Sequence, residues 1–391
     1  MRYTQVGDWR LSRIGLGCYG LSGAYGPVDE DQFEITLLAA VEQGVNFIDT
    51  AEGYGEAESF LGRIIAPIRD RVYIATKLSG TGGQPDLSAA AVRRACHASL
   101  ERLKTDVIDL YQVHFDDPRT PVLETVDALE SLVEAGLIRR YGVSHLPAAR
   151  VLEYAEVGDL FSILMELSPV ARSSTKTILP VCTEHDLAAI AFSVTGRGIL
   201  SGRYPQGHCF AGDDIRQMDP LFQRERYTSA TRVCEFLDTL GKKYDATAVQ
   251  MGIAWVLAQP QVACALTGTS SPVHLVENLA ASEIDLEQED LQTLNRFLDK
   301  EDDRLAAEQR LTIKRILDAP LAEEHETAFT DLVYVMETAV MLDAARELDM
   351  MAAFRELLAL RQAQDSELCT SKARRKMLGI QHLLRGMIRE V

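Results

Sequence analysis

Four polar side chains stand where apolar runs of the sequence stop. Asp49 closes the run Val45-Asn46-Phe47-Ile48-Asp49, and Tyr54 follows five residues on. Lys77 closes a run over 72–77, and His114 closes another over 107–114. Gathered in one place, a phenol, an ammonium, a carboxylate and an imidazole can deliver a proton to a carbonyl oxygen. A free phenol, with a pKa of about 10, is a poor proton relay at neutral pH, and a neighbouring ammonium favours the tyrosinate. Lys77 is therefore expected to lower the pKa of Tyr54, with Asp49 keeping the lysine charged. His114 is expected to hydrogen-bond the substrate oxygen and place it against Tyr54. The matching hydride has to come from a cofactor, because no side chain supplies one.

These residues are far apart in the chain, so the fold must bring them together. Short apolar runs at 14–18, 46–49, 72–77, 107–114, 138–143, 161–165, 187–193 and 262–267 read as eight strands. Helical spacing fills the gaps near 30–43, 57–65, 87–102, 121–135, 147–155, 176–184 and 245–258, and recurs near 272–280. Strands separated by helices cannot be hairpins, and eight such units predict an α/β chain folded as a closed parallel (β/α)8 TIM barrel. The C-terminal ends of barrel strands share one mouth, which would collect the four residues. Residues 201–227, with Pro205, Gly207, Gly212, Asp213, Asp214 and Pro220, lack a clear period and read as a long loop before a helix near 228–240.

After about residue 285 no strand pattern remains, and 287–391 reads as helical with a break near Pro320. This predicts two domains, a barrel over 1–298 and an all-helical extension over 299–391. In the last helix Met377, Ile380, Leu384, Met387 and Val391 recur at three- and four-residue steps, with Leu383 and Ile388 widening the stripe. Lys372, Arg374, Arg375, Lys376, Arg385 and Arg389 read as a solvated basic face on a docked helix. Attachment of that face to an acidic membrane surface is the minor alternative.

Composition narrows the partners. The 391 residues carry a formal net charge of −18, which disfavours nucleic acid and anionic membrane as partners. Seven scattered cysteines without a CxxC pair suit reduced thiols better than a disulfide framework. Residues 1–10 lack a leader's apolar core and no run of about 18 apolar residues occurs, so a cytoplasmic location without a membrane span is expected. Cys182 and His185 have CxxH spacing, and Glu323, Glu324, His325 and Glu326 cluster, but neither completes a zinc ligand set, so no metal is assigned.

The string Asn46-Phe47-Ile48-Asp49-Thr50-Ala51-Glu52-Gly53-Tyr54-Gly55, followed by Glu58, Leu61 and Gly62, resembles the signature of the aldo-keto reductases. Further matches lie at 15–17, 106–114, 142–144 and 196–202, in family order, and the resemblance covers roughly 8–298. It implies an NAD(P)-dependent oxidoreductase that interconverts an aldehyde or ketone, sugars among them, with its alcohol. The catalytic tetrad would be Asp49, Tyr54, Lys77 and His114, and Tyr54, His114 and Phe115 would line the substrate pocket. NADP (NADPH) would lie across the mouth. Gly17, Cys18 and Tyr19, with Asp49, would flank its nicotinamide end, Ser144 and His145 would face the carboxamide, and Phe192 would stack on the ring. Ser193, Gly196, Gly198 and Leu200 would follow the pyrophosphate. Gly268, Thr269, Ser270, His274, Glu277 and Asn278 would hold the adenosine phosphate and adenine, since backbone amides at a helix start favour phosphate. His274 stands where many members place an arginine for the 2′-phosphate, which keeps NAD open as a cofactor. Leu164 stands where the family usually has a glutamine, and the helical tail exceeds what the family needs.

Two other readings compete. Gly15-Leu16-Gly17-Cys18-Tyr19-Gly20 matches GxGxxG, but Ser22, Gly23, Gly26 and Pro27 follow at once and argue for a loop rather than a Rossmann helix. The second is a regulatory or partner-binding subunit that carries a nicotinamide cofactor with little turnover; the intact tetrad favours catalysis. The expected partner is a small carbonyl or alcohol, with the C-terminal helices as a route to a homo-oligomer.

Overall fold

The computed structural model describes residues 1–78, 85–342, 350, 353–357, 359 and 371–388. The chain divides into two compact units, Met1–Gln217 with Val233–Leu291 and Met218–Arg232 with Gln292–Val391.

The first unit opens with a hairpin that the sequence reading missed, β1 (Tyr3–Val6) and β2 (Trp9–Ser12), paired antiparallel around Gly7 and Asp8. Eight strands follow: β3 (Ile14–Gly17), β4 (Phe47–Asp49), β5 (Tyr73–Leu78), β6 (Ile108–Val113), β7 (Ile138–Ser144), β8 (Ser162–Glu166), β9 (Ala188–Phe192) and β10 (Val262–Thr267). They close in sequence order into a barrel, every pair parallel, with β10 returning to β3. This is the expected (β/α)8 fold, and each strand lies within one or two residues of its expected run. The stretch after β3 forms only a short 3₁₀ turn, Tyr19–Ser22, and the first helix starts at Glu30. The GxGxxG string therefore opens no helix, and the sheet is closed rather than open.

Local chemistry fixes the outer helices. Asp29 caps helix Glu30–Glu42 by accepting from the Gln32 amide at 2.9 Å. Thr247 and Gln250 form a reciprocal capping box on Ala248–Leu257. Where helices pack tightest only glycine fits: a Cβ on Gly62 would stand 2.2 Å from the Arg102 carbonyl oxygen. The pattern expected near 176–184 is two short helices, Ser173–Thr177 and Leu179–Glu184.

The barrel interior is apolar toward its N-terminal end. Leu11, Phe47, Ala75, Leu110, Leu164, Ile190 and Cys264 form one buried cluster there with Trp9. Trp9 stacks on Tyr73 at 4.5 Å and meets Phe161 at 4.7 Å, so the hairpin covers that end of the barrel. The polar residues Asp49, Lys77 and Gln112 meet at the other end. The 201–227 stretch is less irregular than expected: it carries 3₁₀ turns at Ile199–Ser201, Ile215–Gln217 and Pro220–Phe222, and helix Arg224–Gly241 starts earlier than the spacing suggested.

The second unit has its own core, built on Ile313, Leu317, Phe329, Leu332, Met336, Met377, Ile380 and Leu384. Its long helix Gln288–Asp318 is followed, after a break, by His325–Leu342, and the tail ends in Ser371–Ile388. The basic residues of the last helix do not all face water. Arg374 donates to the carbonyls of Leu321 (3.1 Å) and Ala322 (2.9 Å), and Gln381 donates to those of Ile316 (3.1 Å) and Ala319 (3.2 Å). Gln381, together with Arg385, which bonds the Leu317 carbonyl, satisfies acceptors left open at the end of Gln288–Asp318, and Arg374 holds the segment that follows. Leu383 is exposed and does not join the stripe. The side chains of Lys372, Met387 and Ile388, and residues Arg389 and Val391, lie outside what is described. No described helix is long and apolar enough to cross a membrane.

Candidate active site

The tetrad residues meet at the C-terminal end of the barrel. Lys77 projects from β5 next to β4, and its Nζ donates to Asp49 Oδ1 at 2.6 Å and to the Thr50 carbonyl at 2.7 Å. Both side chains are buried. Gln112, opposite Lys77 on β6, donates to Asp49 Oδ2 at 3.4 Å. The turn after β4 carries Tyr54: Glu52 N bonds the Lys77 carbonyl at 3.2 Å and Tyr54 N bonds that of Ala51 at 3.1 Å. This places Lys77 Nζ 4.9 Å from the centre of the Tyr54 ring. The His114 and Tyr54 rings lie 5.7 Å apart, and Tyr19 meets Tyr54 edge-on at 5.0 Å. Phe115 stacks flat on His114 at 4.2 Å, with its own ring exposed.

Electrostatics correct one expectation. Burial holds the Tyr54 phenol well above its ordinary value, and the Asp49 charge adds to the rise. The expected lowering by Lys77 does not appear, because that ammonium is committed to Asp49 and the Thr50 carbonyl. Burial also lifts the Asp49 carboxyl, with Lys77 and Gln112 opposing it. The His114 imidazole is pushed well below its usual value by burial, then by Lys77 and His145. Near neutrality the phenol is therefore protonated and the imidazole uncharged.

The residues expected along a dinucleotide are spread around the same rim. Gly17, Cys18 and Tyr19 end β3, and Cys18 N bonds the Asp49 carbonyl at 2.8 Å. Ser144 ends β7 fully buried, and its Oγ has no partner. Its register partner is Leu164. His145 follows with φ of +50° and its ring 4.8 Å from Phe192 at the end of β9. Beyond Phe192, Ser193, Gly196, Arg197, Gly198 and Gly202 all take positive φ. Such a run turns backbone amides to one side and suits an anion. Leu200 is buried beneath it. After β10 come Gly268, Thr269 and Ser270, and Ser271 caps helix Pro272–Ala280, which carries His274, Glu277 and Asn278. Glu277 accepts from Thr247 Oγ1 at 2.8 Å, and Asn278 is buried.

Three residues at this end of the barrel were not singled out from the sequence. Gln112 precedes His114 by two positions, so strand alternation puts both on one face; that signal was present. Arg203 Nη1 lies 2.6 Å from His274 Nε2, a meeting that depends on the path of the loop. Arg216 pairs with Asp214 at 2.6 Å and lies 4.4–5.1 Å from the rings of Phe210, Tyr204 and Tyr25, tying the 203–217 loop to the 19–26 loop.

Comparison with known proteins agrees with this geometry. Residues 13–299 match the Aldo/keto reductase family. The chain is 33% identical to the aldo-keto reductase YhdN of Bacillus subtilis, over 76% of this chain and 94% of that protein. Among solved structures it resembles a glycerol dehydrogenase from Gluconobacter oxydans, at a TM-score of 0.70 and 29% identity, covering 76% of this chain and 95% of the other. It also resembles an aldo/keto reductase from Klebsiella pneumoniae in complex with NADP and acetate, at a TM-score of 0.60 and 29% identity, with 76% and 95% covered. Matched over most of its length and with a barrel that gathers the four signature residues, the chain belongs to the aldo/keto reductase family of oxidoreductases.

Proposed function

We propose that this enzyme reduces a small aldehyde or ketone with NADPH, Tyr54 acting as the general acid, and runs the reverse oxidation with Tyr54 as base. One observation carries the reading: the buried Lys77–Asp49 pair sits beneath the Tyr54 ring while His114 faces it across the mouth. The residues present fit a nicotinamide dinucleotide. Ser144 Oγ is a buried polar atom in need of a partner, as a carboxamide would provide, and the positive-φ run after Phe192 suits a pyrophosphate. Gly17, Cys18, Tyr19 and Phe192 would hold the nicotinamide end, and Ser270, His274, Glu277 and Asn278 the adenosine end. Arg203 beside His274 supplies a permanent positive charge that the imidazole alone lacks, which favours NADP over NAD.

The cofactor, when bound, supplies the hydride. The protein does the rest. His114 is neutral, so it donates one hydrogen bond to the carbonyl oxygen without stabilising a competing charge. Tyr54 passes its proton to that oxygen as negative charge develops on it. Asp49 and the Thr50 carbonyl fix the Lys77 ammonium 4.9 Å from the centre of the Tyr54 ring, which positions the ring beside the reacting oxygen. Residues 299–391 act in this reading as a helical accessory domain to the 1–298 barrel.

Tyr54→Phe tests it. Turnover should fall by about 10²–10⁴-fold or more, the usual scale for a lost general acid, while NADPH still binds. A variant that reduces carbonyls at the wild-type rate overturns the mechanism. Bound NADPH without turnover in the wild type would support a regulatory subunit instead.

A further inference from the structure

The turn that carries Tyr54 is gripped from both faces of the barrel wall. On the inner face the Lys77 ammonium holds Asp49 and the Thr50 carbonyl. The strand adds two backbone bonds: Thr50 N donates to the Ala75 carbonyl at 2.8 Å, and Glu52 N to that of Lys77 at 3.2 Å. Thr76, between them, points its side chain the opposite way from Lys77, because residues alternate along a strand. Its hydroxyl donates to Oε1 of Glu58, in helix Ala57–Ile64, at 2.5 Å. Three consecutive residues of β5 thus hold the segment from Asp49 to Glu58, and Tyr54 lies in its middle.

A guanidinium closes the outer side. Arg102, in the last turn of helix Ala89–Leu103, donates from Nε to Glu58 Oε2 at 2.6 Å and brings Nη2 to 3.8 Å from Glu52. The same Nη2 donates to Ser99 Oγ at 3.2 Å. Glu52 and Glu58 stand on either side of Tyr54 in the chain, so one rigid fork bridges the two ends of the turn. Gly62 permits this, because it brings helix Ala57–Ile64 against the Arg102 backbone where any Cβ would collide. Glu58 is 1% exposed. A carboxylate buried there carries a desolvation cost that a surface carboxylate avoids, so its place needs a reason. Its two bonded partners, Thr76 and Arg102, lie behind the wall rather than in the mouth.

We propose that Arg102 and Glu58 are positioning residues for the reaction: acting through Thr76 and the 49–58 segment, they set where the Tyr54 ring stands relative to Lys77. Neither touches substrate or cofactor. A phenol that must hand its proton to one oxygen tolerates little displacement, since a shift of about 1 Å at a reacting group can cost about 100-fold in rate. The backbone of the turn reaches the wall through amide bonds on one side and through this ion pair on the other, so loosening the pair lets the ring drift while the barrel itself stays closed. The proposal rests on the carbonyl-reductase reading above, in which Tyr54 is the acid.

The test is a double-mutant cycle in the full chain, read with NADPH and the fastest substrate of a panel of small aldehydes and ketones. Arg102→Met should lower kcat by about 10- to 100-fold, while carbonyl KM and the Kd for NADPH stay within about twofold of wild type. In a Tyr54→Phe background the same change should alter the residual rate by less than about twofold, because the group it places is gone. A purely structural role would lower both backgrounds alike. Thr76→Val keeps the ion pair and cuts its link to β5; it should lower kcat in the same direction, with the same dependence on Tyr54, if the methionine variant folds poorly. Wild-type kcat in a folded variant, a loss carried by KM or Kd, or an equal loss with and without the Tyr54 hydroxyl overturns this inference and leaves carbonyl reduction standing. A wild type that binds NADPH and reduces no carbonyl, or a Tyr54→Phe variant as fast as wild type, overturns both.

Discussion

Arg203 and His274, 71 positions apart, meet with Arg203 Nη1 2.6 Å from His274 Nε2. The guanidinium donates, so the imidazole nitrogen facing it is the unprotonated one. The pair lies beside the capped start of helix Pro272–Ala280. Removing the cation by Arg203→Ala should raise KM for NADPH by about 10- to 100-fold, the scale of a charge-assisted hydrogen bond, and leave KM for NADH nearly unchanged. His274→Arg should shift the NADPH to NADH ratio upward. Steady-state kinetics with both cofactors decides the matter, and equal losses for the two would remove Arg203 from phosphate recognition.

A second prediction concerns the buried ion pair. Lys77→Met leaves Asp49 in the interior without its cation, and breaking such a pair typically costs about 3–5 kcal/mol. The double variant Lys77→Met with Asp49→Asn should recover much of that loss while staying inactive. Urea unfolding of the three proteins measures it. A single variant as stable as wild type would mean that Asp49 is not ionised in the folded state.

Acid should weaken the fold through His114. Its native pKa lies well below the usual value, so as pH falls below about 6.5 the unfolded chain takes up a proton that the native imidazole refuses. Stability then declines with falling pH, by at most about 1.4 kcal/mol per pH unit from this residue, until the native group also titrates. His114→Gln should flatten the dependence of stability on pH between about 6.5 and 5. An identical slope in wild type and variant would contradict a buried neutral imidazole.

The last prediction addresses the tail. Arg232 holds Glu301 at 2.9 and 3.0 Å, Glu225 accepts from Tyr334 at 2.8 Å and from Thr312, and Arg224 pairs with Asp331. A chain ending at 298 removes every one of these partners of 218–232 and uncovers Leu221, now 2% exposed. It should be less soluble and be cut by protease within that segment. Solution mass of the two forms reads any loss of oligomer. Equal solubility, mass and protease resistance would leave the tail without an accessory role.

The barrel was legible because each strand is a compact apolar run bounded by helical spacing. The meeting of Asp49, Lys77 and His114 was legible because each ends one of those runs, and Tyr54 follows Asp49 in the same turn. The hairpin of β1 and β2 was overlooked although Gly7-Asp8 is a turn dipeptide, because four-residue strands with mixed polarity leave little periodicity. Leu383 shows the opposite error: it fits a helical stripe, but helix 371–388 buries a narrower face. The rise in the Tyr54 pKa could not be read from residue types alone. Its first cause is burial, set by the loops packed around the ring, and Asp49, Tyr19 and Cys18 add to the rise. Arg203 and His274 needed the course of two loops, which no local pattern encodes.

The hairpin under the barrel makes the reaction chamber a cul-de-sac. Trp9 and Leu11 stop the lower opening, so reactant and product share one doorway between the loops tied by Arg216. Whatever lodges in that doorway must slow arrival and departure alike.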